Sequence, residues 1–269
     1  WQVAGVARGD AFVISRDEDG HPNYGGTPAD RCVIGAIQEM KARGLSVTLS
    51  PFLFMDSEGF PWRGRIGVST DGTAAARSEI DSFVSGTNGF RRFILHHAGL
   101  AAEAGGVEAF LIGSEMVGLS RVRDATGAFP FVEALVALAA EVKAILPGAQ
   151  ISYGADWTEN GAYVPGDGSG DVLFPLDALW ASADVDFVGV DWYPPLGDWR
   201  DGDDHLDALA GYAAADDPAY LTSQIAGGEA YDWYYADQAA RDTQVRTPIN
   251  DTAHGEHFVF RQKDIAGWA

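Results

Sequence analysis

Cysteine is nearly absent: Cys32 is the only one in 269 residues, which excludes an internal disulfide and any multi-cysteine metal site. It lies in the apolar run Cys32-Val33-Ile34 and reads as a small buried core residue rather than a nucleophile. Basic residues are scarce too, 18 Lys and Arg against 39 Asp and Glu, for a net charge of -21. Such a surface repels phosphate backbones and anionic lipids, so neither nucleic acid nor a membrane is an expected partner. No run of about 18 uncharged apolar residues occurs, so the sequence contains no candidate membrane-spanning helix. A Walker motif, a dinucleotide fingerprint and a Gly-x-Ser-x-Gly elbow are all missing. The histidines lack zinc spacing: His96 and His97 are adjacent in a helical pattern and face different directions, while His21, His205, His254 and His257 sit in loop-like sequence. The acidic run Asp198 to Asp204 (DWRDGDD) misses the EF-hand spacing and reads as a solvated loop. No metal and no cofactor are expected.

What is present is an alternation. Amphipathic helices are followed by short β-branched or aromatic runs and then by polar, aromatic loops, the order of βα units with a parallel sheet. Helices are expected over Asp30 to Arg43 (with Asp30 as cap), Ala74 to Val84, Phe90 to Ala104, Phe131 to Leu146 and Pro175 to Ser182, with a polar helix around Ala236 to Gln244. Strands are expected over Leu45 to Phe54, Val107 to Ile112, from Gln150 to about Asp156, and over Val185 to Val190, with no good strand after Val190. The length suits one (β/α)8 barrel of roughly 250 residues, so residues 1–269 are expected to form a single domain. Four strands leave that barrel incomplete. The opening on Trp1 without an initiator Met, and the close on Ala269 after a helix-like segment, read as a piece of a longer protein.

In such barrels the residues just past the strand ends line the active-site mouth. Here those are Asp56, Glu115, Asp156 with Trp157, and Asp191 with Trp192 and Tyr193. Carboxylates walled by indole and phenol rings suit sugars, whose CH faces stack on rings while their hydroxyls bond to acids and amides. Glu115 ends the apolar strand VEAFLIGS, where partial burial raises a carboxyl pKa toward that of a general acid. The competing assignment is a structural carboxylate paired with Arg121 or Arg63. Asp56 and Asp191 could contact substrate or cap loops; Trp157, Trp192 and Tyr193 could stack on sugar or roof the barrel. Trp62 and Arg63, in the loop PWRG, are expected to contact ligand or a strand-end carboxylate.

Seven stretches resemble a known family: YGGTPAD, KARGLSVTLSPFLFMD, PWRGRI, FILHHAGLAAEAGGVEAFLIGSEM, ISYGADWTE, VDFVGVDWYPPLGDWRDG and GGEAYDWYYADQAARDTQVRTPI. They are similar to the glycoside hydrolase TIM-barrel-like domain of gene transfer agent and phage tail host-specificity proteins. The resemblance implies a barrel related to retaining glycosidases, with Glu115 as acid/base at the end of strand 4, Leu45 to Phe54 as strand 3 and Val185 to Val190 as strand 6. Strands 1, 2, 7 and 8 would lie at least partly outside the chain. Two departures stand out. Ser114 occupies the place where many such enzymes carry Asn, and the strand 7 run of aromatic-Thr-Glu-aromatic-Gly that supplies the nucleophile is not found in this sequence. Glu229 is its only substitute here, after a poor strand. The implied role is hydrolysis or binding of a cell-envelope glycan by a component of a phage-like particle tail, alongside other tail proteins. The alternative is a carbohydrate-binding or structural hub module without turnover.

Overall fold

A computed structural model describes residues 15–16, 22–23, 28–55, 60–68, 70–251 and 255–268. They fall into two compact units, one holding the described residues up to Asp156 together with Pro175–Asp191, the other Trp157–Phe174 and the described residues from Trp192 onward.

The first unit opens with a two-residue antiparallel pairing, β1 (Ser15–Arg16) and β2 (Pro22–Asn23). Its frame is a parallel sheet in the order β3 (Thr48–Leu49), β4 (Ala109–Ser114), β5 (Gln150–Asp156) and β6 (Gly189–Asp191). The helix α1 (Asp30–Ala42) precedes β3; α2 (Ala74–Ser85) and α3 (Phe90–Glu103) connect β3 to β4. The one-turn α4 (Val117–Ser120) and the long α5 (Pro130–Ile145) connect β4 to β5, and α6 (Asp177–Trp180) leads into β6. Strands that neighbour one another in sequence order, all parallel and joined through helices, form an arc of a TIM-barrel-like sheet.

The helices form for reasons written in their spacing. In α2 the Thr73 hydroxyl accepts from the Ala76 N–H at 3.2 Å, which caps its first turn. Pro130 stands at the first turn of α5, where its missing N–H costs nothing. Phe90, Phe93, Ile94, Ala98 and Ala101 recur on the buried face of α3, as do Phe131, Leu135, Leu138 and Val142 on that of α5. Phe90 joins these faces, its ring 5.9 Å from Phe131 and 5.8 Å from Phe83. Each Phe, Ile, Leu or Val side chain among these contributes roughly 1.5–3 kcal/mol on burial. Strand β4 is buried at every position but Leu111, the pattern of a strand covered on both faces.

Several expected elements are shorter than their apolar runs. Within Leu45 to Phe54 only Thr48 and Leu49 pair in the sheet, because Pro51 has no N–H to donate and the chain then leaves to bridge Phe54 with Trp62. Within Val185 to Val190 pairing starts only at Gly189. Before it, one backbone bond remains, from the Asp186 N–H to the Ile151 carbonyl at 2.8 Å, and side chains make others: the Asp186 carboxylate accepts from the Ile151 N–H at 2.6 Å, and the Ser152 hydroxyl donates to the Phe187 carbonyl at 2.5 Å. Pro175 to Ser182 contains one helical turn. Asp30 is the first helical residue, not the cap, which is Ala29. Cys32 is exposed, because it lies away from the α1 face that buries Ile37.

The second unit is built differently. Its elements are short: α7 (Leu206–Leu209), α8 (Pro218–Ser223), β7 (Trp233–Tyr234) antiparallel to β8 (Thr247–Pro248), α9 (Gln238–Asp242), a 3-10 turn over His257–Phe260, and α10 (Ile265–Trp268). Tyr220, Ala230 and Val259 are its buried apolar residues among those described, so polar contacts carry much of its order. Asp198, expected on a solvated loop, is buried and accepts from Arg200 at 2.7 Å, Arg246 at 2.9 Å, Gln244 at 2.8 Å and the Tyr235 hydroxyl. Asp207 accepts from the other side, from Arg246 at 2.8 Å and the Tyr220 hydroxyl at 2.7 Å.

Candidate functional site

The site lies at the C-terminal ends of β4, β5 and β6, and a bulge aims it. Leu111 faces Ser152 while Ser114 faces Gly154, so three steps along β4 match two along β5. The next residue, Glu115, has φ 51°, a left-handed conformation that side chains other than Gly rarely adopt and that costs on the order of 1–3 kcal/mol. Two bonds hold it there: the Glu115 N–H donates to the Gly154 carbonyl at 2.8 Å, and the Met116 N–H donates to the Tyr153 hydroxyl at 2.7 Å. Tyr153 was not among the residues singled out from the sequence, since nothing in its spacing tells that its hydroxyl meets a backbone N–H 37 positions away.

Trp62 and Arg63 enter from the loop after β3. The Trp62 indole N–H donates to Glu115 Oε2 at 2.6 Å. Arg63 Nε donates to the Ser114 carbonyl at 2.8 Å and its hydroxyl at 2.9 Å, while Arg63 Nη2 stands 3.1 Å from Glu115 Oε2 and 3.7 Å from Asp191 Oδ2. Ser114 thus positions the guanidinium. The Glu115 and Arg63 side chains are only 12% and 11% exposed, whereas Asp191 is 32% exposed and forms the open edge. Burial raises the Asp191 carboxyl, and the neighbouring Glu115 carboxyl raises it further, to about 6 against the pull of Arg63. The charge of Asp156, register partner of Asp191 across β5 and β6, adds to the rise. At neutral pH the group can therefore take and give a proton.

Trp157, Glu229, Trp192 and Tyr193 belong to the second unit, and Asp56 lies outside the described residues. Glu229 is ion-paired with Arg241 through both oxygens, at 2.5 and 3.1 Å. No group of three or more His, Cys, Asp or Glu able to hold a metal ion occurs among the described residues. Nor is any described helix long and apolar enough to cross a membrane.

Residues 88–269 match the family model of the GTA TIM-barrel-like domain, well over half the chain. The chain belongs to the GTA TIM-barrel-like domain family. Residues 21–128 also match the model of Glycoside Hydrolase Family 113. The two matches overlap on the segment that carries β4, Ser114 and Glu115, so a glycoside hydrolase-like character attaches to the strand whose end forms the site. Comparison with curated proteins finds no match. Within this GTA TIM-barrel-like domain, the first match takes in Asp156 and Asp191, and the second takes in Trp62 and Arg63.

Proposed function

We propose that this chain is a glycoside hydrolase-like barrel of a phage or gene transfer agent tail protein, and that its strand-end site engages a cell-envelope glycan through Glu115 and Asp191 acting as one acid/base unit. The observation that carries the reading is the convergence of both carboxyls on one guanidinium nitrogen, Arg63 Nη2, 3.1 Å from Glu115 Oε2 and 3.7 Å from Asp191 Oδ2, with the Asp191 pKa raised to about 6. A carboxyl raised that far keeps an acid ready near neutral pH, and glycosidic cleavage needs that proton on the leaving oxygen. The pair fills one catalytic role, not two. Both carboxyls gather on the same nitrogen, whereas the two carboxyls of a retaining or inverting glycosidase flank the scissile bond. In this mechanism the second carboxylate is a separate residue. The tail assignment rests on the family's name and on the resemblance of the stretches quoted above.

A second reading, glycan binding without turnover, is favoured by the seal over Glu115, whose Oε2 already meets both Trp62 and Arg63. Release of reducing ends from purified cell-envelope polysaccharide separates the two. Under the first reading the domain, assayed in a protein that also supplies the second carboxylate, releases sugar, and Glu115→Gln and Asp191→Asn each slow release by about a hundredfold or more. Equal rates in wild type and both variants would remove the acid/base role. Retention of the polysaccharide without release establishes the second reading.

A further inference from the structure

The second unit contains a cleft of about 560 Å³ whose described lining residues all belong to it, among them Trp157, Glu229, Tyr234, Tyr235, Asn250 and Gln262. That volume falls in the roughly 300–1,000 Å³ range of small-molecule sites. We propose that this cleft is a binding site for a neutral saccharide, with its own aromatic platform and its own polar anchors. The inference shares with the proposed function only the chemical class of the ligand.

Three features point to that class. The aromatic side chains offer π faces at graded exposure: Tyr234 is 47% exposed, and Trp157 and Tyr235 are half-buried. Rings presented in this way stack on the apolar CH faces of sugars. The platform is also fixed before any ligand arrives. The Arg241 guanidinium lies 4.7 Å from the Tyr235 ring centroid, Trp233 packs edge-on at 5.0 Å, and the Tyr235 hydroxyl donates to the buried Asp198. Ordering a rigid ring costs little on binding, which is the gain of preorganisation.

The second feature is Glu229. Arg241 holds its carboxylate from both oxygens, and Ala230 beside it takes φ 64° while its N–H donates to the Trp233 carbonyl at 2.8 Å. A carboxylate has about four lone-pair sites, so two donors from Arg241 leave others for ligand hydroxyls. Its charge is already balanced by Arg241, so it suits a hydroxyl better than a cation. Nor does this arrangement suit a nucleophile, which must be free to attack. The third feature is the choice of polar groups. Among the described residues that line the cleft there is no Lys, Arg or His, while Asn250 and Gln262 supply carboxamides that both donate and accept. A phosphate or a uronate finds no cation there, in a chain of net charge -21. A purely apolar ligand would leave the Asn250 and Gln262 carboxamides facing no polar group of the ligand.

Saturation-transfer NMR and tryptophan fluorescence test this directly, using the intact chain with chitotriose, cellotriose, mannotriose and, as an anionic control, trigalacturonate. At least one neutral trisaccharide should bind saturably when titrated to about 10 mM, the range needed for a Kd near 1 mM. Trigalacturonate should not bind. Trp157→Ala and Tyr234→Ala should each weaken binding at least tenfold, Glu229→Gln several-fold, and Asp81→Asn, exposed on α2, not at all. Tyr234 is exposed, so its loss leaves the fold intact and keeps the test valid should Trp157→Ala fail to fold. Absence of binding by all three neutral sugars overturns the proposal, as does preference for trigalacturonate. So does binding that Asp191→Asn abolishes and Tyr234→Ala leaves alone, although that outcome would support the strand-end site.

Discussion

Asp191 and Glu115 differ in their surroundings more than in their chemistry. Glu115 sits behind the Trp62 indole and the Arg63 guanidinium, and Asp191 keeps the exposed edge with only a 3.7 Å approach from Arg63. Its folded pKa of about 6 lies well above the ordinary aspartate value. A raised carboxyl contributes its stability fully below the unfolded pKa and loses it as pH rises through the folded value. The neutral amide of Asp191→Asn has no such dependence. The melting temperature of Asp191→Asn should therefore match that of wild type below about pH 4, exceed it increasingly as pH rises from about 4 to about 6, and exceed it by a constant margin above about pH 7. Thermal unfolding across this range checks it, and a difference constant with pH throughout would remove the raised Asp191 carboxyl from the account. Stability gained together with lost glycan turnover is the trade expected where a site holds like charges together.

At the level of elements, the turn that carries Trp62 and Arg63 owes its place to α4. A Cβ on Gly118 would stand 2.8 Å from the Gly64 carbonyl oxygen and closer still to that of Ile66, so only glycine lets the two backbones meet. Gly118→Ala should displace the turn, take the indole off Glu115, and lower glycan turnover or retention at least tenfold while far-UV dichroism stays unchanged. Unaltered Trp fluorescence and activity would show the contact to be idle. This contact was invisible in the sequence, where Gly118 carries no motif. The helices were legible because α3 and α5 repeat their apolar residues every three or four positions and stop at Gly105-Gly106 and Pro147-Gly148. The strands were legible in place but not in length, since hydrophobicity cannot tell which N–H finds a partner. Pro51 was the one visible sign that the first run would end early. The strand-end position of Glu115 could be read from the run before it. The roles of Ser114 and Tyr153, and the proton on Asp191, depend on register and on residues tens of positions apart.

Across the whole molecule the two units are stabilised by different physics. The first has a continuous apolar core around Phe90, Phe110, Phe131 and Tyr153, whereas the second has few buried apolar side chains and centres on Asp198 with Arg200, Arg246, Gln244 and Tyr235. Burial alone would raise the Asp198 carboxyl, but Tyr235, Arg246, Arg200 and Gln244 outweigh it and hold the group below its ordinary value. A depressed carboxyl contributes stability above the unfolded pKa, and that contribution is lost as pH falls through the folded value. Acid also weakens the first unit, where Asp71, Glu108 and Asp186 are likewise depressed, each bonded to a backbone N–H and to Arg123 or near a lysine. Its apolar core does not titrate, however, and β4 and β5 should outlast the second unit. Hydrogen exchange between about pH 5 and pH 3 should therefore show protection lost first over 198–246, with β4 and β5 retained. Asp198→Asn should expose 198–246 already near pH 6, because the amide cannot replace a charge that Arg200 and Arg246 both engage. Simultaneous loss in both units, or an Asp198→Asn chain as protected as wild type at pH 6, would mean that the second unit is held by something other than this ion-pair cluster.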